Sequence, residues 1–336
     1  MPTVTVTRPP QFLSPRRIAV RVLQLAVLVA VAFALAGSLP VLHGAREQVA
    51  HAMTGWIAVT ALLELLSVLS FVAVFRGVFG RELGLRFSAK VAVTEQAANV
   101  LVPTGGAGGL AVGAWALRAA GMTGERIASG SVTFFVITSA TNFAGVAIVG
   151  GLLAAGVVPG DVAAGLAIVP AVLAVVTIAA VLQLPRLRGR AAGRAPGGRR
   201  GRLLARSAAA LGDGVSDAIG LVSGRNVAAL AGAWGYMLFD IAALAAAFHA
   251  IGTSPPVGPF LMAYLLGQLG GLIPVPGGVG GTDGGLVAAL VLFGTPLGAS
   301  AAAVIVYRLF QLGLPVVLGA VAAARLRSEL ASAVLP

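Results

Sequence analysis

The chain has no cysteine, and only 11 of its 336 residues are acidic. Without thiols there is no disulfide, no thiolate nucleophile and no cysteine-bound metal. The three histidines, His43, His51 and His249, stand far apart and lack the helical spacing of metal ligands, so neither a metal nor a cofactor is expected. Charged residues make up 10% of the chain, and a soluble domain of this length needs far more to cover its surface. The alternating, roughly ten-residue strands of an outer-membrane barrel are missing too. So are a P-loop, a nucleophile elbow and a metal motif, and the expectation is a protein that is not an enzyme.

What is present is apolar. Hydrophobic residues make up 58% of the chain and the mean hydropathy is +0.97, which reads as an all-α polytopic membrane protein. A hydrocarbon core of ~30 Å takes ~20 apolar residues per helix. About six full transmembrane helices are expected, at 18–42, 54–79, 127–153, 162–184, 226–251 and 299–324. Arg16 and Arg17 followed by Ala34-Leu35-Ala36 imitate a cleavable signal. The apolar run, about 18–42, is long enough to span, and it is read as an uncleaved first helix.

Two longer apolar segments, 87–119 and 257–294, are each split by a glycine-rich break. These are Pro103-Thr104-Gly105-Gly106-Ala107-Gly108-Gly109 and Pro274-Val275-Pro276-Gly277-Gly278-Val279-Gly280-Gly281. Non-helical backbone at membrane depth survives where protein buries it or where it lines a watery cavity. Paired breaks in two chain halves are the best sequence pointer to a transporter's binding site. Each segment is therefore expected to form a re-entrant helical hairpin.

The net charge of +12 lies beside the spans. Eight arginines (Arg186, Arg188, Arg190, Arg194, Arg199, Arg200, Arg202 and Arg206) share one segment with no acid. Basic residues there follow the positive-inside rule and favour anionic lipid headgroups, and no nucleic-acid motif accompanies them. Re-entrant hairpins make every basic cluster cytoplasmic. The chain then divides into a cytoplasmic tail (1–17), a first transmembrane half (18–184), a basic cytoplasmic loop with helix near 203–221 (185–225), a second transmembrane half (226–326) and a cytoplasmic C-terminal tail (327–336). In this topology the hairpins enter from opposite faces, the relation of an inverted two-fold repeat. A shift of 172 residues lays Gln96 on Gln268 and Gly105, Gly106, Gly108 and Gly109 on Gly277, Gly278, Gly280 and Gly281.

Ionisable side chains inside spans are costly and ask for a reason. Glu64 and Asp240 lie mid-span, Glu95 precedes the first break, and the three are candidates for proton or ion coupling. Asn99, Pro103, Gly105, Gly106, Pro276, Gly277, Gly278, Gly280, Asp283, Tyr307 and Arg308 are candidates for substrate binding. Broken helix ends offer unpaired N–H groups to a phosphate, with Arg308 as its cationic partner. The bland readings are helix pairing for the charges, with Arg308 set against Asp240 or Asp283, and close packing for the glycines.

The run Asn99-Val100-Leu101-Val102-Pro103 with its glycines, Leu117-Arg118-Ala119-Ala120-Gly121-Met122, the second motif from Ile273 through Asp283, and Tyr307-Arg308 resemble one family. It is the transmembrane, flippase-type domain of the lysylphosphatidylglycerol synthase/flippase proteins, including stand-alone members. Relatives often carry glutamate at the position of Gly109, arginine shortly after it, and glutamate at the position of Asp283. The resemblance implies movement of phospholipid, including aminoacylated phosphatidylglycerol, between leaflets. It does not imply synthesis, which in two-part relatives needs a separate soluble aminoacyl-transferase domain.

The expectation is a flippase-like protein of a bacterial cytoplasmic membrane, with both termini cytoplasmic, working by alternating access. Its partners would be membrane lipids, with anionic headgroups near the 185–206 arginines, and a second copy or an envelope enzyme. The rival reading is a non-transporting scaffold or partner subunit of an envelope lipid- or glycan-modifying enzyme.

Overall fold

The computed structural model describes residues 10, 14, 16–24, 43–80, 83–102, 107–191, 199–268 and 281–332, and among them all regular structure is helical. The elements are α1 (16–24), α2 (His43–Ala50), α3 (Thr54–Phe79), α4 (Leu85–Leu101), α5 (Ala107–Ala119), α6 (Gly124–Ala154), α7 (Ala164–Ala191), α8 (Arg199–Ser223), α9 (Val227–Ala250), α10 (Val257–Gly267), α11 (Gly281–Leu292) and α12 (Leu297–Ser332).

Five helices are long and apolar enough to cross a bilayer: Thr54–Phe79, Gly124–Ala154, Ala164–Arg186, Val227–Ala250 and Leu297–Leu330. They fall where five of the six full spans are expected. The sixth, 18–42, lies largely outside the described residues. The chain is a multi-pass helical membrane protein. Its outer apolar side chains, such as Val169, Leu173 and Val176 on α7 and Leu309 and Val317 on α12, are more than half exposed, as a hydrocarbon solvent allows.

Local chemistry sets the helix ends. Thr123 accepts the Arg126 N–H at 3.3 Å to begin α6, and Asn226 accepts the Ala229 N–H at 3.2 Å to begin α9. Gly252 turns the chain out of α9 with a positive φ of 74°; its N–H and that of Thr253 return to the carbonyls of His249 and Phe248. Helices also stop on either side of both glycine-rich segments. α4 ends at Leu101 with Val102 extended, and α5 begins at Ala107. α10 ends at Gly267, and α11 begins at Gly281. At ~1.5 Å per residue, none of these four helices reaches across a ~30 Å core. Residues 103–106 and 269–280, which hold Pro103, Gly105, Gly106, Pro276, Gly277, Gly278 and Gly280, lie outside the described residues.

Antiparallel pairs held by small residues form the body. In α3 against α9, Met53 meets Ala250 at one end and Asn226 meets Gly77 at the other. Along the seam a Cβ on Gly232 would stand 2.8 Å from the Val74 nitrogen. α4 packs antiparallel to α12 through Gly319, and α6 lies antiparallel to α10 through Gly145 and Gly150. Glycine lets backbones touch here, and in lipid that contact is what draws helices together. Most of the basic 185–225 stretch is helical, with α7 continuing to Ala191 and α8 occupying 199–223. α8 is tied to α6 by Thr133 Oγ1 donating to the Gly214 carbonyl at 3.1 Å and by the Arg126–Asp217 pair at 3.5 Å.

Candidate functional site

Because α3 and α9 run antiparallel with their centres side by side, Glu64 and Asp240 meet close to the middle of both helices. Glu64 is 4% exposed and Asp240 8%. The Glu64 carboxyl lies against that of Asp240, and the Arg308 guanidinium is in electrostatic range of both. Glu64 Oε2 is buried with no hydrogen-bond partner among the described residues. Native interiors rarely leave such an atom unsatisfied, and one deserves an explanation.

Asp240 is held from two further helices. Tyr307 on α12 donates its hydroxyl to both carboxylate oxygens at 2.8 Å, and Tyr264 on α10 donates to Asp240 Oδ2. Tyr236, one helical turn before Asp240 on α9, joins the same group of interacting side chains as Glu64 and Arg308. Arg308 Nη1 donates to Gln311 Oε1 at 2.7 Å, and its guanidinium carbon lies 5.5 Å from the Tyr307 ring centre. The cluster therefore draws on α3, α9, α10 and α12. Tyr264 belongs to the last turn of α10.

Four of the sequence candidates, Glu64, Asp240, Tyr307 and Arg308, thus come together. Tyr236 and Tyr264 were not among the candidates, yet a signal for them exists: the chain has three tyrosines, and all three converge on Asp240. A tyrosine buried in apolar surroundings needs a partner for its hydroxyl. Of the two acids set against Arg308 in the sequence, Asp240 interacts with it electrostatically, and tyrosine hydroxyls add hydrogen bonds that the sequence reading did not include.

Glu95 and Asn99 form a second polar strip, on α4. They are one turn apart and face the glycines of α5. Asn99 Oδ1 accepts the Gly109 N–H at 2.9 Å, and a Cβ on Gly113 would stand 2.6 Å from Glu95 Oε2. With Val102 against Gly108, these contacts fix α4 and α5 as an antiparallel pair. A Cβ on Gly109 would meet the Asn99 side chain. Asp283 stands in the first turn of α11, and its side chain is outside the described atoms. No group of three His, Cys, Asp or Glu suited to a metal occurs among the described residues.

Residues 18–319 match the family model described as the lysylphosphatidylglycerol synthase TM region. No curated protein matches the chain.

Proposed function

Since the chain belongs to the family of the lysylphosphatidylglycerol synthase transmembrane region, we infer that it translocates phospholipid between the leaflets of a bacterial cytoplasmic membrane. The cargo is an anionic or aminoacylated lipid of the phosphatidylglycerol type, and the chain performs no bond-making chemistry of its own. The observation that carries this reading is the mid-span cluster of Glu64, Asp240, Arg308 and three tyrosines. Ionisable groups this deep mark substrate and proton pathways. Arg308 suits a headgroup phosphate, Glu64 and Asp240 suit a travelling proton, and the second glycine-rich segment lets a headgroup approach backbone N–H groups.

Alternating access asks for two related halves, and the helix pattern supports an inverted repeat. The starts of α3, α4, α5 and α6 recur as those of α9, α10, α11 and α12, offset by 172 to 174 residues. The positive-φ glycines ending α3 and α9, Gly80 and Gly252, follow the same offset, as do Gly121 and Gly294 after α5 and α11. Equivalent helices of an inverted repeat run in opposite senses, as α3 and α9 do. On this reading α4–α5 and α10–α11 are re-entrant hairpins entering from opposite faces, with both termini cytoplasmic. The basic α7–α8 region then meets anionic headgroups or a partner, whether a second copy or an envelope enzyme.

The test is leaflet exchange of fluorescent phosphatidylglycerol in vesicles containing the purified chain. Exchange should be faster than in empty vesicles. Asp240→Asn should slow it on the order of tenfold or more, since hydrogen bonds to a charged group contribute ~1.5–3 kcal/mol each. Equal exchange with and without protein would sink the translocation reading and favour the scaffold.

A further inference from the structure

A cleft of about 330 Å³ opens on the flank of the molecule, away from the central cluster. Its walls are Leu69, Val72, Ala73, Arg76 and Gly77 of α3, with Leu85 of α4 and Ala228 of α9. Six of these seven residues are apolar, and Leu69 and Leu85 are more than half exposed. Arg76 is the exception. Its Nε is buried with no hydrogen-bond partner among the described residues.

A cation in the last turn of α3 complements that helix's dipole. That does not explain why the guanidinium keeps Nε inside an apolar cleft, when an arginine at a helix end can snorkel into water. The surroundings favour an anion. Leu85, the first residue of α4, and Ala228, the second of α9, share the cleft wall with Arg76; the α4 end has no side-chain cap, and the α9 end is capped by Asn226. The sequence from Arg76 to Lys90 carries four basic residues and one acid, and Arg225 lies just before the Asn226 that touches Gly77.

The remaining wall suits an acyl chain. From Gly77 to Leu69 the groove follows α3 for ~12 Å, most of the roughly 15 Å of one leaflet's hydrocarbon. It starts within a turn of the helix end, where headgroups lie, and deepens toward the middle of the span.

We propose that this cleft is a binding site for an anionic glycerophospholipid, with its phosphate on Arg76 and the ends of α4 and α9, and an acyl chain along Ala73, Val72 and Leu69. The site is separate from the Asp240 cluster and stands whether or not the protein translocates lipid.

The test is an equilibrium binding measurement on the full chain in phosphatidylcholine vesicles. A fluorophore on Val227→Cys, beside the cleft in a cysteine-free background, reports quenching by spin-labelled phosphatidylglycerol or by spin-labelled phosphatidylcholine. The anionic lipid should bind about fivefold more tightly, the preference a single basic residue confers near a membrane surface. Arg76→Gln should abolish that preference. Ala73→Phe, which fills the apolar wall and leaves the charge, should weaken quenching by the anionic lipid. Equal quenching by the two lipids, or a preference that survives Arg76→Gln, overturns the proposal. Should Arg76→Gln fail to fold, undiminished anionic preference in Ala73→Phe does so instead.

Discussion

Asp240 is surrounded by tyrosine hydroxyls in a chain that has three tyrosines. Tyr264 and Tyr307 hydrogen-bond its carboxylate, while Tyr236 contributes through space. Removing a donor from a buried carboxylate leaves it unsatisfied, at a cost of ~1–3 kcal/mol. Tyr264→Phe and Tyr307→Phe should therefore each lower the thermal stability of the purified protein, and Tyr236→Phe should lower it less. A melting series in detergent checks this; no loss in any of the three would mean that ring packing, which phenylalanine keeps, and not the hydroxyl, is what matters. Such residues were only half legible. An acid within an apolar run announces itself, as Glu64 and Asp240 did. A tyrosine in the same run passes for an apolar side chain unless its scarcity is weighed.

At the level of elements, glycine does two different jobs that look alike in sequence. Some glycines end helices, as Gly252 does, and some seat one helix on another. Gly232 is of the second kind: an added Cβ would stand 2.8 Å from the Val74 nitrogen and 2.9 Å from the Ser70 carbonyl oxygen, neither of which can move without moving α3. Gly151, on α6, has nothing within 4 Å. Alanine has the better helix propensity, by ~0.8–1.0 kcal/mol. Gly151→Ala should therefore stabilise slightly. Gly232→Ala should destabilise despite the same gain, because overpacking costs typically ~1–3 kcal/mol. Opposite shifts in unfolding temperature are the expected result, and a stabilised Gly232→Ala would contradict the α3–α9 seam.

For the whole molecule, the proposed inverted arrangement makes a prediction about sidedness. In a cysteine-free chain, single cysteines at Gly106 and Gly278 can be probed with a membrane-impermeant thiol reagent in oriented vesicles. Label should reach Gly106 from the cytoplasmic side and Gly278 from the opposite side. Reaction of both from one side would remove the opposed hairpins and with them the alternating-access scheme. The two halves also differ in chemistry. Asp240, Tyr264, Tyr307 and Arg308 belong to α9, α10 and α12, whereas α3 supplies Glu64 alone. In the proposed inverted repeat the cluster therefore draws unequally on the two halves.

The sequence by itself determined the membrane class, the position of five spans, the helix ends flanking the two glycine-rich segments and the family. These are local properties: span length follows from consecutive apolar residues, and a helix break follows from proline and glycine at one place. What only tertiary structure decided was which polar groups meet. Glu64 and Asp240 lie 176 positions apart, on helices that are apolar around most of their circumference, so no periodicity marks the face either residue occupies. The antiparallel α3–α9 contact, drawn close by glycine, sets them opposite each other. The end of α10 and the middle of α12 then bring the tyrosines. Glu95 and Asn99 were sorted differently by the same force, because the glycine face of α5 took them into the first hairpin.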